Sequence, residues 1–271
     1  MKSPLAAAAC IVLSVSTGLL GQMQNNTEKQ MTCDNRGYDS DRARHCDIRE
    51  QTMAAVGRLG LEAHNGSVTI KGWLQSGVLV RARVESAAET QSAADLLANQ
   101  VSISTGGGDV HAIGPNTVDN TWWSASYEIF LPQTTDLSLK THNGAVAISD
   151  VRGQIRFEAH NGAVHLKRLA GDVSGGTHNG EIKAELMGSL WEGRQLELST
   201  NNGGITLSMP AGYSAHVQAE TSNGHIQSDF PITVSGEIKP RRLDTNIGSG
   251  GSPIHLTTHN GQVTLQRAGL Q

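Results

Sequence analysis

The stretch THNGAVAISDVRGQIRFEAHNGAVHLKRLAGDVSGGTHNGEI, residues 141–182, contains the same short motif three times. His-Asn-Gly recurs at intervals of 18 residues, centred on Asn143, Asn161 and Asn179. After each Asn-Gly pair, apolar and polar residues alternate, which is typical of a β-strand with one buried face. A Gly-containing corner and a second alternating run complete the repeat. Each repeat therefore predicts two short strands.

Related motifs lie on both sides of this stretch. They are centred on Asn65, Asn202, Asn223 and Asn260, and STGGGDVHAI at 104–113 resembles a degenerate copy. Asn202 and Asn223 follow at intervals of 23 and 21 residues. The longer intervals of 78 residues from Asn65 to Asn143 and 37 residues from Asn223 to Asn260 correspond to about four and about two repeats. Such periodicity indicates a repeat architecture.

Two architectures accommodate this repeat. In an antiparallel β-meander or sandwich, each Asn-Gly pair closes a two-residue hairpin. In a parallel β-solenoid, equivalent residues of successive repeats stack at about 4.8 Å. The residue before Asn is His in five of the seven motifs, and such recurrence favours stacking of like on like. We predict an all-β, parallel β-solenoid or β-helix-like domain, with the meander as the alternative.

One helix is predicted outside the repeats, in SAAETQSAADLLANQ at 86–100. Ala93, Leu96, Leu97 and Gln100 follow helical spacing, and Ser86 is the predicted N-cap. A stack of coils needs a cap against edge-to-edge association, so we expect this helix to cover an open end or face.

The first 21 residues have the pattern of a secretory signal peptide. Lys2 precedes an apolar run at 5–20, which is shorter than the ~20 residues of a membrane span. Small residues predict cleavage after Gly18 or Gly21, and a lipoprotein site at Cys10 is the alternative. We predict an exported protein in the periplasm, at the cell surface or outside the cell, without a membrane span in the mature chain.

Two cysteines, Cys33 and Cys46, remain after removal of that segment. In an oxidising compartment we expect them to form a disulfide, whose loop closure contributes about 3 kcal/mol in the chain-entropy model. A metal site is disfavoured, because His45 adjoins Cys46 but no second pair completes a tetrahedral set. The predicted divisions are a polar segment at 22–51, which contains the disulfide, and a repeat domain at 52–271.

Composition restricts the function. Glycine accounts for 31 of the 271 residues, charged residues for 17 %, and the net charge is −4. This mildly acidic balance lacks the basic excess on which nucleic-acid binding depends, so no nucleic-acid partner is predicted.

The order of the motifs along the chain resembles the bacterial putative-adhesin family. The resemblance runs over about residues 52–267 and rests on a strand–helix–strand opening, YEIFLPQTTDLSLKTHNG, the repeats, and the closing GSGGSPIHLTTHNGQVTL. It implies an exported, right-handed β-solenoid-like domain for which adhesion is inferred from fold, and it assigns no catalytic residue. The abundance of histidine lies outside the family pattern.

The candidate binding residues are five histidines and a tryptophan pair: His64, His142, His160, His178, His259, Trp122 and Trp123. His142, His160 and His178 fall in consecutive repeats. In a solenoid these imidazoles form a column at about 4.8 Å, close enough for neighbours to share a transition metal or to repel one another when protonated. The two indoles lie on opposite faces of a strand, so one can be exposed to a sugar or a partner surface. The seven asparagines have a predicted structural role as an amide ladder: Asn65, Asn143, Asn161, Asn179, Asn202, Asn223 and Asn260.

These observations predict a non-enzymatic, adhesin-like binding or structural module of the bacterial envelope, with no cofactor and an unidentified surface partner such as a glycan or an envelope protein. A carbohydrate-active β-helix enzyme is one alternative, and a metal- or pH-responsive envelope sensor is another. The enzyme needs converging carboxylates, whereas the candidate acids do not recur at one repeat position. They are Asp150, Glu158, Asp172, Glu181 and Glu185.

Overall fold

The computed structural model describes residues 31–33, 42–117, 120–232 and 240–269. The predicted signal segment, with Cys10, Gly18 and Gly21, lies outside these ranges. Within them, twenty strands form two ten-stranded sheets and one α-helix is present. The predicted all-β, parallel solenoid-like class is confirmed.

Each repeat contributes one strand to each sheet. The strands that end at the motif asparagine form most of what we call the ladder sheet: β2 (Arg58–Asn65), β8 (Asp136–Asn143), β10 (Arg152–Asn161), β12 (Ala170–Asn179), β14 (Leu196–Asn202), β16 (Ala215–Asn223) and β19 (Pro253–Asn260). The strands that follow Asn-Gly form most of the facing sheet: β3 (Val68–Trp73), β9 (Val146–Ser149), β11 (Val164–Lys167), β13 (Ile182–Glu185), β15 (Ile205–Met209), β17 (Ile226–Ser228) and β20 (Val263–Arg267).

The remaining elements lie at the ends of the stack. They are β1 (Ala43–Ala54), β4 (Gly77–Ala88), α1 (Gln91–Asn99), β5 (Ser102–Ser104), β6 (Asp109–Ile113), β7 (Trp122–Pro132) and β18 (Arg242–Ile247). In the part of the chain that the structure describes, antiparallel pairing occurs only there, between β1 and β4, β4 and β7, β5 and β6, and β16 and β18. The repeats themselves pair in parallel, so the meander alternative is wrong for them.

The order of the repeats in space differs from their order in sequence. Asn65 lies directly beside Asn143, and Asn260 lies between Asn202 and Asn223. The interpretation of the long intervals as four and two repeats is therefore wrong. Residues 77–132 do not add rungs between these asparagines, because their strands extend both sheets beyond β2 and β3. At the other end, β18 pairs antiparallel with β16, and the chain then returns to insert β19 between β14 and β16.

Two local predictions need correction. The motif at 104–113 is not a copy of Asn-Gly, because its glycines form a 3-10 turn and β6 lies in the ladder sheet beside β2. The helix begins after Thr90, whose hydroxyl accepts a hydrogen bond from the Ala93 N–H, while Ser86 lies in β4. The buried face of α1 is Ala94 and Ala98, and Leu96 is exposed. Small alanines let the helix lie close to β4.

The core fills the space between the two sheets. Along β10, Ile155, Phe157 and Ala159 are buried and alternate with exposed Arg156 and Glu158. In the facing sheet, Val164 and its neighbours on adjacent strands, Val146 and Ile182, are also inaccessible to solvent. Each buried aliphatic side chain of this size contributes about 1.5–3 kcal/mol. Parallel register therefore gives a continuous apolar interior.

The predicted disulfide is confirmed. Cys33 and Cys46 are bonded, with their Cα atoms 5.7 Å apart. The Arg83 guanidinium also donates to the Thr32 carbonyl at 3.2 Å. The bond and this contact hold residues 31–33 against β1 and β4.

Glycine after the motif asparagine is required by the close approach of neighbouring rungs. A Cβ atom at any of the seven glycines would lie only 1.9–2.2 Å from a backbone oxygen of the adjacent rung or strand. A positive φ is part of the reason at Gly66, Gly144 and Gly203 only. Contact between backbones, more than turn conformation, explains the recurrence of glycine.

We expect Gly162→Ala to destabilise the protein by about 1–3 kcal/mol, as overpacking does. Its Cβ would lie 2.0 Å from the Gly144 carbonyl oxygen. The matched control is Gly212→Ala, where a Cβ meets nothing within 4 Å and the change should stay within about 0.5 kcal/mol. Urea unfolding measures both. Equal unfolding midpoints for the two variants would contradict the close stacking of rungs.

Candidate functional site

The motif asparagines form a continuous ladder along one margin of the ladder sheet. Each Nδ2 donates a hydrogen bond to the Oδ1 of the asparagine on the neighbouring rung. The six bonds are Asn143 to Asn65, Asn161 to Asn143, Asn179 to Asn161, Asn202 to Asn179, Asn260 to Asn202 and Asn223 to Asn260, all at 2.8–2.9 Å. Aligned amides polarise one another, so such a row is cooperative.

A second row of hydrogen bonds supports the ladder from the side of the core. Thr177, Thr200, Thr221 and Thr258 stand two positions before the asparagine, and each hydroxyl donates to a glycine carbonyl of a neighbouring rung at 2.8–3.0 Å. These threonines are buried. The role of these threonines was not predicted, although the recurrence of Thr two positions before Asn was a usable signal.

Three of the five histidines before the asparagines stand on consecutive rungs and stack. His142, His160 and His178 lie with ring centroids 4.8 and 5.0 Å apart and with interplanar angles of 3° and 4°. His64 stands on the rung beside His142. Asn201 occupies the next rung after His178, with its Nδ2 3.1 Å from the His178 Nδ1. His259 lies beyond Asn201, which separates it from the three stacked rings.

Stacking determines what these rings can bind. A nitrogen lone pair lies in the plane of its imidazole ring, and two stacked parallel planes share no point at which one metal ion meets both lone pairs. Adjacent rings therefore do not share a metal unless they rotate. Within the described residues, no group of three or more His, Cys, Asp or Glu side chains is placed to hold a metal ion. The ring faces are covered by their neighbours, and their polar edges remain exposed.

A shallow groove follows the ring edges on the outer face of the ladder sheet. One section, of about 350 Å³, is lined by His64, His142 and His160 together with Glu62, Lys140 and Glu158. A second section, of about 570 Å³, continues past His178 and Asn201 to His259. Lys140 and Glu158 lie 4.0 Å apart, both largely exposed, so they contribute little to stability. The groove is polar and carries charges of both signs.

The predicted tryptophan pair lies at the β2 end of the stack, and both indoles are half-buried. Trp123 packs against Val84 and Val101 and donates its Nε1–H to the Pro115 carbonyl at 2.9 Å. The Arg44 guanidinium lies over Trp122, 5.5 Å from the ring centroid. Each ring has a partner inside the chain, and each stays partly accessible to solvent.

A cleft of about 500 Å³ adjoins the tryptophans. Trp122, Trp123, His64 and His111 line it together with Tyr127. Burial raises the pKa of the Tyr127 phenol. Among the residues described, its hydroxyl has no hydrogen-bond partner.

The candidate acids of the enzyme alternative lie in ion pairs spread over both sheets. Asp150 binds Arg168 at 2.5 Å, and Asp172 binds Arg194. The hydrogen bond from Arg194 lowers the pKa of the Asp172 carboxyl. The other three acids pair with lysines: Glu158 with Lys140, Glu181 with Lys183 and Glu185 with Lys167. These groups act as paired surface charges.

The family profile of the Toastrack DUF4097 domain matches residues 47–266. The chain belongs to the Toastrack DUF4097 family. This membership confirms the resemblance drawn from the motifs. A comparison with curated proteins found no match for this Toastrack chain. No helix among its described residues is long and apolar enough to cross a membrane.

Several solved structures are similar to the Toastrack chain at low identity. A putative cell adhesion protein from Clostridium sporogenes is 12 % identical with a TM-score of 0.46, over 82 % of this chain and 100 % of that one. A putative adhesin from Bacteroides fragilis is 11 % identical with a TM-score of 0.42, over 82 % and 97 %. A putative lipid binding protein from Parabacteroides distasonis is 10 % identical with a TM-score of 0.31, over 83 % and 97 %.

The stacked rings give a prediction about zinc. Saturating Zn²⁺ should leave the thermal unfolding midpoint of the protein unchanged, because neighbouring lone pairs do not converge. His160→Asn should behave in the same way, since Asn201 already occupies an equivalent position. A midpoint that rises in the wild type and not in His160→Asn would show that the rings rotate and ligate the metal.

Proposed function

We propose that this Toastrack chain is an exported, non-enzymatic, adhesin-like binding or structural module of the bacterial envelope that contacts its partner through the histidine groove of the ladder sheet. The observation that supports this most is the row of parallel imidazoles at 4.8 and 5.0 Å, with exposed edges along a groove. The conclusion about export rests on the signal-like first segment and on the disulfide.

The row is well suited to binding because the scaffold holds it in place before any partner arrives. The amide ladder and the backbone pairing fix the rung on which each imidazole sits, so association costs less ordering entropy. Equivalent donors and acceptors then repeat along one line, which matches a partner that itself repeats.

The chemistry of the groove favours a polar polymer. Covered ring faces leave the imidazole edges to donate and accept hydrogen bonds, with Lys140 and Glu158 alongside. Hydroxyl-rich chains satisfy such edges, whereas an apolar partner would leave them without partners. Among the two predicted partner classes, a surface glycan fits this groove better than an envelope protein.

The absence of enzymatic activity is part of the proposal. It is supported by the ion pairing of the five candidate acids, which an acid–base mechanism would instead need to converge on one bond. The proposal includes no cofactor. The division into a segment at 22–51 and a domain at 52–271 remains a prediction.

A pH-responsive module is the second candidate, supported by the same stack. Protonation of neighbouring rings places like charges about 5 Å apart, and these charges repel. Such a module would lose its groove geometry, and with it partner binding, once neighbouring rings carry charge.

A glycan and cell-surface binding array tests the function. We expect the full chain to bind, and a triple variant with His142→Asn, His160→Asn and His178→Asn to lose at least about tenfold in affinity, as central interface residues do. The control is His165→Asn, since His165 is an exposed histidine on β11 of the facing sheet. Undiminished binding by the triple variant would contradict the assignment of the groove.

A further inference from the structure

Seven Asn-Gly pairs carry a chemical liability as well as a structural role. The backbone nitrogen of the glycine can attack the asparagine Cγ, forming a succinimide ring and releasing ammonia. Water then opens the ring to aspartate or isoaspartate. The reaction is fastest when glycine follows the asparagine, because glycine has no side chain to hinder the attack of its nitrogen on Cγ and its backbone is flexible. The step needs a free glycine N–H, a side chain able to turn, and access for water.

Six of the seven pairs are held against this reaction. Their glycine N–H groups donate to the backbone oxygen of the asparagine on the next rung at 2.9–3.0 Å. These are Gly66, Gly144, Gly162, Gly180, Gly203 and Gly261. The same glycines are only half-exposed. Each of the six asparagines also accepts a hydrogen bond at Oδ1.

The seventh pair, Asn223-Gly224, lies at the end of the ladder. Within the residues that the structure describes, the Gly224 N–H has no backbone acceptor and the Asn223 Oδ1 accepts no hydrogen bond. A single bond holds the amide, from Asn223 Nδ2 to the Asn260 Oδ1 at 2.9 Å. Gly224 is exposed, whereas its six counterparts are half-buried.

The parallel chain direction makes the two ends of the ladder unequal. At the other end, Asn65 accepts from Asn143, and the Gly66 N–H is bonded to the Asn143 oxygen. At that end the Asn65 Nδ2 has no ladder bond within the described residues, but the Gly66 nitrogen, which would have to attack the side chain, is held in a hydrogen bond. Within the described ranges, only the end at β16 combines a glycine nitrogen without an acceptor, a singly held amide and exposure to water.

We propose that Asn223 is a site of spontaneous deamidation in the folded protein. The Gly224 nitrogen bonds to the Asn223 Cγ and loses its proton, the Cγ–Nδ2 bond breaks, and ammonia leaves. One water molecule then hydrolyses the succinimide, so the net change exchanges NH₂ for OH on the side chain, or shifts the peptide bond to the side-chain carbonyl. No oxidant or cofactor takes part.

The product changes the last rung specifically. A carboxylate at position 223 no longer donates to the Asn260 Oδ1 and places a negative charge beside that oxygen. Isoaspartate also adds a backbone carbon to the turn between β16 and β17. The interior rungs keep their bonds, so an aged molecule would differ from a new one at one end of the solenoid.

Peptide mapping by mass spectrometry tests this proposal on the purified full chain, incubated at mildly alkaline pH in heavy-oxygen water. We expect label and mass gain to accumulate in the peptide containing Asn223, at least about tenfold faster than at the other six pairs. Incubation in denaturant is the control, and there all seven sites should react at similar rates. No gain at Asn223, or equal rates across the folded chain, would overturn the proposal.

A variant of the neighbouring rung tests whether the ladder bond to Asn260 slows deamidation at Asn223. Asn260→Ala leaves Asn202 and Asn223 without their ladder bonds through position 260 and frees the Asn223 side chain. We expect its deamidation at Asn223 to be faster than in the wild type, with the interior pairs at 143 and 161 unchanged as an internal check on folding. A slower reaction at Asn223 with those interior pairs protected would also contradict the proposal.

Discussion

The hydrogen bond from one asparagine side chain to the equivalent asparagine of the neighbouring rung is the interaction on which this structure depends. It can form only if equivalent residues stand directly above one another, and only if neighbouring backbones approach closely enough for a Cβ on the following residue to clash. The amide and the glycine therefore act as a unit. Together they exclude a shift of register, which would expose the apolar interior.

Stacking of like on like also determines the outer surface. The register that aligns Asn143, Asn161 and Asn179 places His142, His160 and His178 in one row with nearly parallel rings. The same row that exposes repeated polar edges covers its own ring faces. The exposed ring edges, the unsuitability of the rings for a shared metal and the protection of the interior asparagines follow from a single geometric constraint.

The sequence predicts the solenoid, the disulfide and the asparagine ladder well because these depend on local periodicity and on two cysteines. It fails where the chain leaves the repeat. The position of Asn260 between Asn202 and Asn223 depends on β18 pairing with β16, which no spacing indicates. The helical spacing predicted a face that includes Leu96, but the buried face is Ala94 and Ala98, because packing against β4 favours small side chains. The contact between Trp122 and Arg44 could not be predicted from the sequence, because the two residues are far apart along the chain.

The ladder itself can be observed directly by nuclear magnetic resonance, through couplings across hydrogen bonds in a chain with isotope-labelled asparagine side chains. The account predicts six couplings between Nδ2 and the neighbouring amide carbonyl, linking positions 65, 143, 161, 179, 202, 260 and 223 in that order. A coupling from 202 to 223, or none between interior rungs, would contradict it.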